Sequence, residues 1–430
     1  MRDFDLGISF LFAQSGLSLI AIFWFTLLFD IPRYFLSFAA VGIAPLAARI
    51  FSNFDRRRAL QGSTLPRPRI SVIIVGHNEA HSVERCVRSL REQSISDLEI
   101  VVVSDGSSDR MAEVAARLAK LGLVDQALST DLRGGKPSGL NLAITTATGD
   151  PIVIVDCDCS FDRFAIENVV KYFNDPSVGG VSGDIVPRNG DATLTARFQE
   201  IEYLFSLSVG KRVGATLNQV VCISGAFGAF RREALECIGA FDPGGGEDLD
   251  LTLRLRAKGW GAAFAEDAIC YTNVPTRLWS LIRQRLRWER DAIWVRFRKN
   301  WRPMDPRSPS FRLAEAFHQW DFIIFNVISA AIFPFYLVWL FVQYGSFALP
   351  ILIAMQIGLF AIDVLMLEIA CKVTGRPLFF RNLLYLFGCS IFMAYIMRGI
   401  RLCAYVEEWF LSGSRRDDFV PLKVRKVRPW

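Results

Sequence analysis

The chain has 430 residues, 52% of them hydrophobic, and a formal net charge of +6. The apolar residues gather towards both ends with the basic excess beside them, which suits a surface facing lipid headgroups and argues against a nucleic-acid partner. Nine cysteines and three histidines supply too few ligands around Cys157-Asp158-Cys159 for a zinc site, so free thiols are expected.

Residues 8–29 are apolar apart from a few small or uncharged polar side chains, long enough for a helix to cross a hydrocarbon layer of about 30 Å. They lack the basic start and small-residue cleavage site of a signal peptide. Residues 31–51 form a weaker second stretch interrupted by Pro32, Arg33 and Pro45, and Arg49, Arg56, Arg57, Arg58, Arg67 and Arg69 follow it.

From Pro66 the pattern changes to short β-branched runs alternating with amphipathic helices. Residues 70–75 read as a buried strand, and Val83, Cys86, Val87 and Leu90 give the inward face of the next helix. Residues 98–103 form a second strand ending at Ser104-Asp105-Gly106, and Met111, Val114 and Leu118 mark a further helix. Residues 151–155 deliver Asp156 and Asp158 at a strand's carboxyl end. This alternation implies an α/β domain with a mostly parallel, Rossmann-like sheet, whose ligand crevice lies beyond the carboxyl ends of the strands.

Val75-Gly76-His77-Asn78-Glu79 lacks the glycine pattern of a dinucleotide site. Gly134-Gly135-Lys136-Pro137 reads either as a phosphate loop, with two backbone N–H groups exposed and a lysine point charge, or as a plain turn with a solvated lysine. Asp156 and Asp158 repel unless a cation neutralises them, which a hard divalent metal with substrate phosphates achieves; an isolated pair also serves as loop caps. Glu247-Asp248 opens a helix whose Leu251 and Leu255 face inward, where carboxylates suit both dipole capping and general-base chemistry. Ser224-Gly225-Ala226-Phe227 offers small residues and an aromatic as a floor for an acceptor sugar.

Gln284, Arg287 and Trp288 share one helical face at i, i+3 and i+4. They lie in a stretch, residues 276–301, rich in Arg, Trp and Phe, which also reads as an amphipathic helix on the headgroup layer. Residues 322–344 and 347–370 are clear apolar spans, whereas 383–397 is short and runs into Arg398 and Arg401. The basic clusters after the first apolar block, between 299 and 312, between 372 and 381 and in the tail place the middle domain and the tail in the cytoplasm. A cytoplasmic tail favours 383–397 as a re-entrant or interfacial piece.

Asn78-Glu79, Ser104-Asp105-Gly106, Gly135-Lys136, Asp156-x-Asp158, Ser224-Gly225-Ala226-Phe227, Glu247-Asp248 and Gln284-x-x-Arg287-Trp288, in that order, resemble the processive inverting glycosyltransferases of family 2. These include synthases of cellulose, chitin, hyaluronan and poly-N-acetylglucosamine. The resemblance covers roughly residues 66 to 301 and implies a type A glycosyltransferase fold flanked by transmembrane and interfacial helices. It implies that Asn78, Glu79, Asp105 and Lys136 help hold the nucleotide-sugar, that Asp156 and Asp158 bind UDP and its Mg²⁺ or Mn²⁺, and that Asp248 is the general base. Gln284, Arg287 and Trp288 would then gate the donor, with Trp288, Glu247, Ser224, Gly225 and Phe227 on the acceptor side. Gly246 stands where threonine is common before the Glu-Asp pair, which leaves the base in place. The tail is too short for a cyclic-di-nucleotide-binding domain like that of bacterial cellulose synthases, so such regulation is expected to need a partner.

The expected layout is a membrane segment at 1–65, a cytoplasmic glycosyltransferase domain at 66–275, interface helices at 276–315, a membrane region at 316–412 and a basic tail at 413–430. The expected activity is polymerisation of a β-linked polysaccharide from UDP-N-acetylglucosamine or UDP-glucose and its translocation, from the inner membrane of a bacterial-type cell. The partners are the UDP-sugar, the growing glycan, the bilayer and secretion or regulatory subunits. The alternatives are a non-processive glycolipid synthase, similar to ceramide glucosyltransferases, and a non-catalytic UDP-sugar-binding subunit of a secretion complex.

Overall fold

The computed structural model describes residues 7, 9–32, 69–216, 220–308, 311–416 and 420–427. The second apolar stretch beyond Pro32 and the arginines from 49 to 67 lie outside the described residues.

Ile70–Gly76 (β1) and Leu98–Asp105 (β2) are buried along their whole length, as strands covered on both faces must be. With Gln126–Thr130 (β3), Ile152–Val155 (β4), Ser160–Phe161 (β5), Val178–Pro187 (β6), Phe227–Phe230 (β7) and Gly261–Thr272 (β8) they form one sheet, in the order β3-β2-β1-β4-β7-β6-β8-β5. β1 runs parallel to β2 and β4, and β6 parallel to β8. β7 enters antiparallel between β4 and β6, and β5 pairs antiparallel with β8. Alternate residues of β1 serve the two faces: Ile70, Val72 and Ile74 pack with Val83, Cys86, Val87 and Leu90 of the helix Val83–Arg91. Ile73 and Val75 pack with Leu140 and Ala143 and, through the same cluster, with Leu251 and Leu255 of the helix Glu247–Ala257. Each such aliphatic side chain contributes about 1.5–3 kcal/mol on full burial.

Glu99 is the polar tie inside this apolar layer. Its carboxylate accepts hydrogen bonds from Ser71 Oγ on β1, Gln126 Nε2 at 3.0 Å on β3, and Thr148 N at 2.7 Å and Oγ1 at 3.0 Å. Burial opposes its charge, but these donors outweigh it and hold the carboxyl below its ordinary value of 4.5.

Among the described residues, Leu313–Thr374 and Phe379–Leu411 are helical stretches long and apolar enough to cross a membrane. The first turns back at Gly345, so that Tyr336 Oη lies 4.0 Å from Met355 Sδ across the resulting hairpin. The N-terminal apolar stretch packs alongside it: Phe10 stacks on Phe347 at the tip with ring centroids 4.7 Å apart, and Tyr336 Oη donates to Ile22 O at 2.9 Å. That stretch is not the single helix expected from composition. It breaks at residues 13–15, where Ser15 caps Gly16–Ile22, and passes into a wider turn at Thr26–Asp30.

Both ends of the hairpin return to the α/β domain, Glu315 pairing with Arg256 at 2.6 Å and Arg376 with Asp184 at 2.8 Å. Residues 383–397 are not a short piece but the middle of the continuous helix Phe379–Leu411. Its start is tied to the domain by Arg381 and Glu200, and its second half to the helix Leu278–Ile293 by Arg401 and Glu289 at 3.0 Å.

Because the Glu99 pKa is lowered on folding, its contribution is complete above the ordinary carboxylate range and lost as pH falls through the lowered value. Glu99→Gln is expected to cost about 1–3 kcal/mol near pH 7 and to flatten the loss of stability below pH 4.5. Denaturant midpoints measured across pH 3 to 7 (roughly the carboxylate range) check both.

Candidate active site

The motif residues gather where β1, β2, β4 and the segment before β7 end. Asp105, last residue of β2, is buried and accepts hydrogen bonds from Gly134 N and Gly135 N, each at 2.7 Å. The glycine amides that the sequence offers to a phosphate are therefore turned onto a carboxylate instead. Asp105 acts on the loop that aims Lys136, and neither it nor the two amides stands free. Asn78, in the left-handed region at φ 61, ties the neighbouring loops by accepting from Ser108 N at 2.8 Å, and Glu79 accepts from Ser82 Oγ at 2.6 Å. The tail returns here as well, with Pro421 Cδ 3.2 Å from where a β-carbon on Gly135 would stand.

Lys136 opens the helix Lys136–Thr146, and its ammonium joins three of the motifs. Nζ lies 2.6 Å from Asp156 Oδ1, 3.2 Å from Gly225 O and 3.6 Å from Glu247 Oε1. Burial opposes the charge on Lys136, but the Asp156 and Glu247 carboxylates outweigh it and hold the ammonium above its ordinary value. Burial lifts Asp156 and Glu247 in turn, against the pull of Lys136 and with help from neighbouring carboxylates. Asp158 is anchored through Oδ2 by Thr272 Oγ1 at 3.0 Å, while Oδ1 accepts from the Cys159 thiol at 3.7 Å. Among the described residues no group of three or more His, Cys, Asp or Glu side chains converges to hold a metal. Two carboxylates at a strand end do fit a hard divalent ion whose shell is completed by phosphate oxygens and water.

Asp248 lies in the first turn of the helix Glu247–Ala257. Its carboxylate accepts from Leu249 N at 2.8 Å and from Gly225 N at 3.3 Å, so Gly225 bridges Lys136 and Asp248 through its own peptide groups. The glycines before Glu247 are required by the helix Leu278–Ile293: a β-carbon on Gly245 would stand 2.5 Å from Asp291 Oδ1, and Gly246 adopts φ +68. That helix carries Gln284, Arg287 and Trp288. Gln284 Oε1 is buried with no hydrogen-bond partner among the described residues, Arg287 is half-buried and Trp288 is 41% exposed.

One sequence expectation fails here. Phe227 is fully buried, its ring 5.0 Å from that of Phe161 in the sheet core, so it offers no surface to an acceptor. Ser224 and Gly225 contribute backbone groups rather than a floor. Arg285, which motif reading passes over, stacks over Trp288 at 4.3 Å and pairs with Glu202 at 2.7 Å. Its position between Gln284 and Arg287 was the available signal.

The family described as glycosyltransferase like family 2 matches residues 66–290, over half of the chain. The chain belongs to this family. Two relatives of this glycosyltransferase are poly-beta-1,6-N-acetyl-D-glucosamine synthases. The one from Staphylococcus aureus (strain COL) is 29% identical over 223 residues, 51% of this chain and 53% of the relative. The one from Staphylococcus epidermidis is 28% identical over 237 residues, 54% of this chain and 56% of the relative. The chain thus spans about half the length of the relatives it matches. A mannosyltransferase from Pyrobaculum calidifontis, solved in complex with GDP-Man and Mn²⁺, has a similar fold: TM-score 0.52, 22% identity, 88% of this chain and 99% of that one.

Asp105→Ala would leave the Gly134 and Gly135 amides unpaired and the Lys136 loop unaimed. It is expected to lower stability by about 1–3 kcal/mol, which a denaturant midpoint reads.

Proposed function

We propose that this glycosyltransferase is a membrane-embedded synthase that extends a β-linked polysaccharide from a UDP-sugar and passes it out between its apolar helices. UDP-N-acetylglucosamine is the favoured donor over UDP-glucose, in keeping with the polymer named for the staphylococcal relatives. The observation that carries the reading is the junction at Lys136. It brings Asp156, Gly225 and Glu247 within 3.6 Å of one ammonium, beside Asp248 and against the helix that bears Arg287.

In this reading Asp248, aimed by the Gly225 and Leu249 amides, takes the proton from an acceptor hydroxyl. The acceptor oxygen attacks C1 of the donor in line, the bond from C1 to the diphosphate breaks, and UDP leaves. Inversion of an α-linked donor gives a β-linkage. Lys136 and Arg287 supply fixed positive charge near the diphosphate. Asp156 and Asp158 would hold Mg²⁺ or Mn²⁺, which neutralises charge developing on the leaving group. The buried, unpaired Gln284 Oε1 suits a sugar hydroxyl, and the Trp288 face, held by Arg285, suits the acceptor terminus by stacking.

The arrangement of ends supports a cytoplasmic catalytic domain and tail. Both ends of the hairpin and the start of Phe379–Leu411 meet the α/β domain and its second half meets the helix Leu278–Ile293, while Phe10 and Phe347 mark the far side. In this proposal interface helices begin at residue 276 and membrane helices lie beyond residue 315.

The full chain in detergent or nanodiscs, given UDP-N-acetylglucosamine or UDP-glucose with Mn²⁺, is expected to release UDP and form long polymer. Sugar transfer that requires added lipid and stops after one unit would replace this reading with a glycolipid synthase. Asp248→Asn is expected to lower turnover by about 10²–10⁴-fold; unchanged turnover would remove Asp248 as the base.

A further inference from the structure

Behind the Ser224–Gly225 peptide lies a buried cation that the motif set does not include. Lys211, on the helix Gly210–Thr216, is 6% exposed. Among the described residues its hydrogen-bond partner is Ser182 Oγ, at 2.8 Å. Ser182 is itself fully engaged: its hydroxyl donates to Gly183 O at 3.2 Å and accepts from Ser224 N at 3.3 Å. The next peptide group, Gly225 N, donates to Asp248 Oδ2 at 3.3 Å. A continuous path therefore runs from the Lys211 ammonium through Ser182 and the Ser224–Gly225 backbone to the Asp248 carboxylate.

We propose that Lys211 is a positioning residue for Asp248, fixing the Ser224–Gly225 segment through Ser182 so that Gly225 N holds the carboxylate in place for proton transfer. The proposal rests on the assignment of Asp248 as the base.

Three observations support it. First, a lysine is a costly way to fill this space, since a buried ammonium gives up its hydration and a methionine would pack the same volume. Burial does pull Lys211 below its ordinary value, opposed by Cys222, Asp184, Asp248 and Cys270. Second, Lys211 is not needed as the counter-ion of Asp184. That carboxylate is already held by Arg376 at 2.8 Å and by Ser208 Oγ at 2.7 Å. Asp248, the other carboxylate acting on Lys211, feels the Lys136 ammonium but makes no salt bridge of its own among the described residues. Third, the segment is pinned on its remaining sides. Ile223 N donates to Thr252 Oγ1 at 2.9 Å, Thr252 Oγ1 donates to Asp248 O at 2.7 Å, and Lys136 holds Gly225 O. Ser224 N is the group left for Ser182 and Lys211 to fix. With it free, the Gly225 amide can shift, and a displacement of about 1 Å at a reacting group costs on the order of a hundredfold in rate.

The test is steady-state kinetics on the full chain with UDP-N-acetylglucosamine and Mn²⁺, together with UDP affinity by calorimetry, for Lys211→Met, Ser182→Ala and the double variant. Lys211→Met is expected to lower kcat by roughly 10–100-fold, with donor KM and UDP Kd within about twofold of wild type. Ser182→Ala, which breaks the same path without removing a buried charge, is expected to reproduce the kcat loss in part. The double variant should be no worse than Lys211→Met, because the two residues act in series. Wild-type kcat in both single variants would overturn the proposal, as would losses that multiply in the double variant or that fall equally on UDP binding. If Lys211→Met does not fold, Ser182→Ala alone decides between these outcomes. Asp248→Asn is measured alongside: turnover surviving in it defeats the base assignment, whereas its loss with unaffected Lys211 and Ser182 variants defeats only the positioning role.

Discussion

The constraint on which the rest of the site depends is the repulsion among Asp156, Asp158, Glu247 and Asp248. Carboxylates crowded into a partly dry crevice raise one another's pKa values and lose the charge that makes them useful unless a cation sits among them. Lys136 supplies that cation, 2.6 Å from Asp156 and 3.6 Å from Glu247. Its placement is prepared well away from the chemistry. Asp105 turns the Gly134 and Gly135 amides inward, Pro137 starts the helix, and Leu140 and Ala143 bury that helix against β1. The sheet core thus sets where the ammonium stands, and the ammonium allows acids from β4 and from the helix Glu247–Ala257 to approach one another.

The same logic of buried charge governs how the α/β domain meets the apolar helices. Arg256 with Glu315 is a buried pair and Arg376 reaches the fully buried Asp184, both joining the domain to the hairpin, while the buried pair Arg398 and Asp30 joins two apolar segments. Such pairs add little net stability over apolar residues of equal volume, since desolvation offsets most of the attraction. Their cost when mismatched is large, so they reject sliding of one helix along another. The hairpin and the helix Phe379–Leu411 are thereby kept in one register on the domain, where greasy contacts alone would tolerate several.

The strands β1, β2 and β4, the inward helix faces and the acid positions were legible because each is a local pattern: β-branched runs, 3.6-residue spacing, and polar residues where a strand ends. What was not legible depended on partners distant in sequence. Phe227 looks like a surface aromatic after a glycine turn, yet β7 inserts antiparallel between β4 and β6 and buries its ring. The Gly134–Gly135 amides look free until Asp105, about thirty positions earlier, is brought beneath them. Residues 383–397 look short because Arg398 and Arg401 interrupt the apolar run. Both arginines are paired with acids from other segments, Asp30 and Glu289, so the helix continues through them.

The glycines before Glu247 connect the two halves of the site. Asp291 of the helix Leu278–Ile293 occupies the space that a side chain on Gly245 would need, and Val295 stands 3.2 Å from the corresponding point on Gly246. Gly246, at φ +68, then turns directly into the helix that begins with Glu247 and Asp248. The helix carrying Gln284, Arg287 and Trp288 therefore packs directly on the peptide that sets the first turn of the acids. Under the proposed mechanism, a shift of that helix on donor binding would bear on the placement of Asp248 as water is excluded.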